Sequence, residues 1–172
     1  MNPRLKEMYY SKVQMNLAKM DNETSSLPLI TFTLNGCSVE ARSDETILNV
    51  AQRIGTEVPY LCYKDGYRPD GNCRVCMVEI KGERVLAPAC CRKPEEGMEV
   101  ESQSVRARSS QRLVLEMLKT DMPDGDVSPY TQNSELDHWC RKLDISQTRL
   151  PRRQQPAGDL TNPAIAVNLD AC

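Results

Sequence analysis

Cys62, Cys73, Cys76 and Cys90 stand in the pattern C-x10-C-x2-C-x13-C within the stretch VPYLCYKDGYRPDGNCRVCMVEIKGERVLAPACC. A close pair of thiolates lets two sulfurs approach one metal centre, and four thiolates suffice to hold one [2Fe-2S] cluster. Gly66 and Gly71 lie between the first two of these cysteines. Residues without a Cβ let backbone N–H groups come near a cluster's sulfides, where their hydrogen bonds help to set its potential. The competing chemistry is structural zinc, which normally asks for a second close Cys pair or a His pair. Here the single histidine is His138, and Cys90 and Cys91 are adjacent, a spacing that suits tetrahedral zinc poorly. A C-x-x-C thiol oxidoreductase usually places its motif at the start of a helix after a strand, whereas Cys76 leads into MVEI.

The remaining cysteines read more plainly. Cys37 follows a turn and is expected to be an inert thiol. Cys91 adjoins Cys90 and could substitute as a ligand, but side chains alternate in an extended segment, so only one of the two should face a cluster. Cys140, beside His138 and Trp139, offers two ligand types without a third and is expected to pack. Cys172 acts as a ligand only if more chain, or another subunit, supplies the rest of its site. Glu95 and Glu96, and Asp124 to Asp126, sit in Pro- and Gly-containing turns and read as solvated surface. Arg152 and Arg153 belong to a polar linker. There is no GxGxxG and no Walker loop, and no residue is assigned a catalytic role.

The elements that position these thiols follow from local pattern. Leu29 to Leu34 reads as a strand, Asn35-Gly36 as a two-residue hairpin turn and Ser38 to Ala41 as the returning strand. Ser43 or Asp44 caps a helix running to Ile54, with Ile47, Val50, Ala51 and Ile54 on one face and Gly55 as its stop. After the cysteine loop, Met77 to Ile80 and Arg84 to Leu86 form a second hairpin, and Met98 to Glu101 a last strand. Residues 104 to 120 predict a helix whose apolar face is Leu113, Val114, Met117 and Leu118. A short helix follows near Leu136 to Lys142. The fold class is therefore α+β, divided into an N-terminal amphipathic helix and linker over 1–28, a compact domain over 29–103, a helical extension over 104–150 and an extended tail over 151–172. Within the first part, Leu5, Met8, Tyr9, Val13, Leu17 and Met20 share one helical face.

Composition narrows the classes of function. The chain has 172 residues, and 22 Lys plus Arg against 24 Asp plus Glu give a formal charge of -2, so no strong field draws it to nucleic acid or anionic lipid. Hydrophobic residues make up 40% but aromatics only 5%, which predicts a small aliphatic core. The longest mainly apolar run, Leu27 to Leu34, is far short of the roughly 18–20 residues that span a bilayer. The N-terminus lacks the apolar stretch of a secretory signal, so the cytoplasm is the expected compartment. Reducing compartments keep thiols free for metals, and the eight cysteines are read accordingly.

The stretch from about Leu29 to Glu101 resembles the plant-type [2Fe-2S] ferredoxin domain, of β-grasp fold, found at the N-terminus of the complex I large subunit and its relatives. The wording ETILNVAQRIGTEVPYLCY, GYRPDGNCRVCMVEIKGERVLAPAC and RKPEEGMEVES is most similar to the α subunit of cytoplasmic NAD-dependent molybdenum or tungsten formate dehydrogenases. The resemblance implies that Cys62 and Cys73 hold one iron and Cys76 and Cys90 the other, with the first iron nearer the surface.

Two departures from the family pattern matter. In complex I the helix equivalent to 104–120 leads to a His-plus-three-Cys [4Fe-4S] site, but here the chain reads KTDMPDGDVSPYTQ, without those ligands. The formate dehydrogenase branch also omits that site, passing through segments similar to SELDHWCRKLDI and NPAIAVNLDAC. The match stops at Cys172, so the chain reads as a fragment of a longer subunit or as a free-standing carrier, with no formate site of its own. The expected function is one-electron transfer at a low potential, about -400 mV for plant-type clusters. Redox partner subunits are expected, a molybdopterin formate dehydrogenase or a flavin NADH-oxidising subunit. The alternatives are a small ferredoxin serving a hydrogenase or NADH dehydrogenase, and a zinc-stabilised interaction module.

Overall fold

The computed structural model describes residues 27–122, 134–152 and 157–167. The expected N-terminal helix, the Asp124 to Asp126 turn and Cys172 lie outside the described residues.

Two antiparallel strands, β1 (Leu29–Leu34) and β2 (Cys37–Arg42), open the domain. Asn35 and Gly36 turn between them with φ of 51° and 79°, the left-handed pair that a tight hairpin between right-twisted strands requires. The helix α1 (Ile47–Arg53) follows. Its cap is Thr46 rather than the expected Ser43 or Asp44. The Thr46 hydroxyl accepts from the N–H of Asn49, and the Asn49 side chain accepts from the N–H of Thr46, a reciprocal box worth about 1 kcal/mol. Ser43 and Asp44 instead belong to the turn leaving β2. Ile47, Leu48, Val50 and Ala51 are buried, while Ile54, at the helix end, is 40% exposed and lies off the expected face.

The strands β3 (Met77–Ile80), β4 (Ala87–Pro88) and β5 (Glu99–Glu101) complete a mixed sheet in the order β2-β1-β5-β3-β4. The central pair β1 and β5 is parallel and the other pairings are antiparallel. The second hairpin is wider than expected. Arg84 to Leu86 forms no strand, and the returning strand pairs Met77 with Pro88 and Val78 with Ala87. An ion pair between Arg92 and Glu83 at 2.9 Å, and the Arg106 guanidinium donating to the Arg84 carbonyl, hold this loop outside the ladder. Phe32, Leu34, Ile47, Leu48, Val50, Val58, Val78 and Val100 make the first core, between sheet and α1. Each such side chain contributes about 1.5–3 kcal/mol through burial.

Beyond the sheet lie α2 (Val105–Asp121), capped by the Ser104 hydroxyl, and α3 (Glu135–Lys142). The buried stripe of α2 is Ala107, Gln111 and Leu115, with Glu116 beside it. Leu113 and Met117, expected to face inward, are 44% and 53% exposed, while Val114 and Leu118 are partly buried. The reason is Gln111, wholly buried, whose amide Nε2 donates to the carbonyls of Met77 at 2.9 Å and Ser102 at 3.1 Å. A polar residue whose amide nitrogen bonds these two carbonyls, while its buried Oε1 has no protein partner among the described residues, occupies the middle of the inner face, and the helix is rotated to suit it. Lys119 donates from α2 to the Ser146 carbonyl at 3.1 Å, and Arg112 to the carbonyls of Leu143 and Asp144. These contacts fix the chain leaving α3. A second core of Val75, Leu115, Cys140, Leu143 and Ile145 forms there, with Leu61, Cys73 and Trp139 packed against it. The tail from 157 to 167 is exposed and closed by a bridge between Asp159 and Val167. Among the described residues no helix is long and apolar enough to cross a membrane.

Candidate metal centre

The four spaced cysteines converge where the two cores meet. Cys62 and Cys73 lie in the irregular segment between α1 and β3, Cys76 immediately precedes β3, and Cys90 follows β4. Cys62 is exposed and Cys73 partly buried, whereas Cys76 and Cys90 are buried. The N–H of Ala89 donates to the Cys76 carbonyl at 2.9 Å, extending the β3–β4 ladder so that Cys76 and Cys90 are brought side by side. The first turn of α1 anchors the same place. Its Ile47 and Leu48 N–H groups, which have no partners within the helix, donate at 2.9 Å to the carbonyls of Arg92 and Ala89.

The loop carrying Cys62 and Cys73 is shaped by left-handed backbone. Gly71 has φ of 64° and Arg74, inside the C-x-x-C pair, φ of 57°. An arginine in that region costs roughly 1–2 kcal/mol, and the strain is offset where the turn directs N–H groups at a sulfur. The Cys73 thiol is the recipient. Burial alone pushes its pKa up, but hydrogen bonds from the backbone of Val75, Cys62 and Leu61 and from the Cys62 side chain outweigh burial and hold it below its ordinary value. The thiolate is the form that binds metal. Cys76 and Cys90 behave oppositely. Burial is the leading cause in each, and it pushes both thiols up. Cys90 also feels the charge of Cys76, and Cys76 the charges of Cys73 and Cys62.

The sulfurs are thus arranged as two pairs, Cys62 with Cys73 and Cys76 with Cys90, close enough for their charges to interact. Among the described residues no three His, Cys, Asp or Glu side chains converge as the ligands of a single ion. Two thiol pairs match in number the donor set that two irons with two protein sulfurs each would require. Backbone N–H groups near the Cys73 thiol, exposure of Cys62 and burial of Cys76 and Cys90 suit a cluster held at the edge of the domain.

Cys91 departs from expectation. Residues 89–91 form a turn and not an extended segment, because the N–H groups of Cys91 and Arg92 both donate to the Pro88 carbonyl, at 3.0 and 2.9 Å. The alternation argument therefore does not apply, and the Cys90 and Cys91 sulfurs lie 3.5 Å apart. A Cβ on Gly71 would lie 2.8 Å from the Cys91 sulfur, so the absence of a side chain there is a steric requirement as well as a conformational one. Cys37 is exposed on β2, and Cys140 is buried in the second core. The ring of His138 contacts Trp139 edge-on at 5.2 Å.

Several positioning residues escape a reading of the sequence. Arg74 gives no compositional sign of its left-handed backbone. Leu61 and Val75, which flank the cysteines, pack against α2 and α3 and so join the loop to the helical extension. Tyr60 adds a ring contact to Trp139 at 6.0 Å. The apolar character of Leu61 and Val75 next to ligand-type residues is the one signal that could have found them.

Residues 28–105 match the family model described as a 2Fe-2S iron-sulfur cluster binding domain. An NADH-quinone oxidoreductase subunit of Rhizobium meliloti is 30% identical over 148 residues, covering 84% of this chain and 17% of that protein. The NADP-reducing hydrogenase subunit HndD of Solidesulfovibrio fructosivorans is 34% identical over 128 residues, covering 71% of this chain and 22% of that protein. This chain therefore spans about a fifth of the length of these curated relatives. In the crystal structure of an NAD+-reducing [NiFe]-hydrogenase in the H2-reduced state, a chain superposes with a TM-score of 0.69 at 24% identity. The alignment covers 83% of this chain and 61% of that one, and shows a shared fold.

Proposed function

We propose that this chain, whose residues 28–105 form a [2Fe-2S] cluster-binding domain, passes single electrons between larger redox subunits, with Cys62, Cys73, Cys76 and Cys90 as the ligands of the cluster. The observation that carries the assignment is the meeting of these four thiols as two neighbouring pairs. When bound, the cluster supplies a one-electron couple between its 2+ and 1+ states. The protein's own residues do the rest. The Cys73 sulfur is stabilised as thiolate by the backbone of Val75, Cys62 and Leu61. Cys76 and Cys90 are shielded by the sheet core, and Cys62 lies at the surface, where a partner can approach.

The partner class is an NAD(P)-linked oxidoreductase. Relatives named as components of an NADH-quinone oxidoreductase, an NADP-reducing hydrogenase and an NADPH-Fe(3+) oxidoreductase support this. Within that class the finer reading is a formate dehydrogenase-like complex, with a molybdopterin subunit and a flavin subunit as redox partners, supported by the similarity of ETILNVAQRIGTEVPYLCY and GYRPDGNCRVCMVEIKGERVLAPAC to that branch. The hydrogenase relative keeps a hydrogenase complex as the second reading.

An anaerobic iron and acid-labile sulfide assay, with EPR before and after dithionite, tests the cluster. The expected result is about two irons and two sulfides per chain and a rhombic signal on reduction. Zinc without sulfide, even after reconstitution, would overturn the electron-transfer reading. Affinity purification of the tagged chain from its own organism tests the partner: a molybdopterin subunit supports the formate branch, and a nickel-iron or iron-only hydrogenase subunit replaces it.

A further inference from the structure

Cys91 has no place in the four-ligand assignment, yet three features of the structure fix its sulfur against the site. The turn over residues 89–91 sets the Cys91 and Cys90 sulfurs 3.5 Å apart, within S–H···S hydrogen-bonding distance. Gly71, which belongs to the loop between the ligands Cys62 and Cys73, leaves room for that sulfur only because it lacks a Cβ. The Pro69 carbonyl, at 3.8 Å, is the other acceptor in reach of the thiol. Between two neutral thiols either sulfur can be the donor. Once Cys90 is a metal ligand it is a thiolate and has no proton to give, so the direction is settled: Cys91 donates and Cys90 accepts. A hydrogen bond to an ionised acceptor is about twice as strong as one between neutral groups, which favours the Cys90 sulfur over the more distant Pro69 carbonyl.

We infer that the Cys91 thiol is a potential-setting residue, donating its S–H to the ligand sulfur of Cys90. The inference rests on the reading of Cys90 as a ligand. Hydrogen bonds to cluster sulfurs are among the determinants of reduction potential. A donor at the Cys90 sulfur withdraws electron density from the iron and stabilises the more negative, reduced state. Removing it lowers the potential.

The experiment is an EPR-monitored redox titration of the full chain carrying its cluster, in a Cys37→Ser/Cys172→Ser background. Cys91→Ala is expected to bind two irons and titrate at a more negative potential than its parent, while Cys91→Ser, which keeps a donor, stays closer to the parent. An unchanged potential in Cys91→Ala overturns the inference, as does an equal shift in both variants, which would show packing and not the proton to be responsible. Retention of the cluster by Cys90→Ala together with its loss from Cys91→Ala would make Cys91 the ligand and also overturn it. Should neither Ala variant hold iron, alkylation of the parent holoprotein with iodoacetamide decides. Cys91 is exposed and its capping removes the S–H. No change refutes the inference, and a fall in potential supports it where mass analysis places the label on Cys91 and not on the exposed Cys62. A parent protein with zinc and no sulfide is a different failure, that of the cluster reading itself.

Discussion

The amide Nε2 of Gln111 donates to the main-chain carbonyl of Met77 at 2.9 Å, one residue beyond the proposed ligand Cys76. It also donates to the Ser102 carbonyl at 3.1 Å, so one side chain of α2 ties the end of β5 to the start of β3. Gln111→Leu leaves two inward carbonyls without this donor. The expected cost is about 1–3 kcal/mol, read as a lower urea midpoint with an unchanged slope, together with faster removal of iron by a chelator. A midpoint equal to that of the parent would show that water replaces the amide without loss.

Changing one sulfur of each proposed pair separates a cluster from a lone-ion site. Cys73→Ser and Cys76→Ser are each expected to lose the cluster or to alter its visible and EPR spectra markedly, since each leaves one iron with a single protein sulfur. Cys140→Ser, in the second core, should leave the spectrum unchanged while lowering stability. Full retention of iron and sulfide in either Cys73→Ser or Cys76→Ser sinks the ligand assignment.

Gly71 supports a prediction about sterics. At φ of 64° an alanine is strained, and its Cβ would sit 2.8 Å from the Cys91 sulfur. Gly36, at φ of 79°, has nothing within 4 Å. Gly36→Ala therefore carries only the left-handed penalty of roughly 1–2 kcal/mol, while Gly71→Ala carries that and a clash. The expected outcome is a larger loss of thermal stability in Gly71→Ala, partly restored in the double variant Gly71→Ala/Cys91→Ala. Equal losses at both glycines would show that the loop moves aside freely.

Stability should also depend on pH through Glu45. This side chain is only 7% exposed and accepts from Arg53 through both oxygens, at 3.0 and 3.1 Å, and from the N–H of Arg42 at 2.8 Å. Burial alone would push its carboxyl up, but the Arg53 and Arg42 interactions together outweigh it and hold the pKa below the usual carboxylate range. A carboxyl depressed in the folded state adds stability that is complete above its unfolded value and is lost as pH falls through the folded one. Glu45→Gln is expected to unfold at a lower temperature than the parent by the same margin at pH 8 and pH 6, with a smaller margin near pH 4. Because the comparison is a difference at each pH, acid effects on the metal site that both proteins share cancel. A margin that widens on acidification contradicts the assignment.

The features that local pattern controls are legible in the residues. The β1–β2 hairpin follows from Asn35-Gly36 between alternating strands, and a short helix is expected where α3 forms, near Leu136 to Lys142. The four-thiol spacing points to the place where the structure gathers sulfurs. What is not legible depends on tertiary partners. Thr46 outcompetes Ser43 and Asp44 as cap because Asn49 lies three residues on to complete the box. Ala87–Pro88 replaces Arg84 to Leu86 because the Arg92–Glu83 ion pair and the Arg106 hydrogen bond to the Arg84 carbonyl widen the hairpin. The inner face of α2 differs from its apolar pattern because its central residue, Gln111, is polar and finds its acceptors on the sheet. The side-chain alternation that would turn Cys91 away from Cys90 holds only in extended chain, and the turn after Pro88 removes its basis.

The proposed ligands are drawn from both sides of a seam. Cys76 and Cys90 belong to the core between sheet and α1, while Cys73 packs with Val75 and Leu61 into the separate core under α2 and α3. A group bound by all of them rivets the two cores together, and its binding free energy is then also the cohesion of the helical extension. Loss of such a group would then favour a sub-global opening at this seam. Trp139, the chain's single tryptophan, lies on the moving side of that opening, against Tyr60 on the other. Its emission is a built-in gauge of whether the two halves are still fastened.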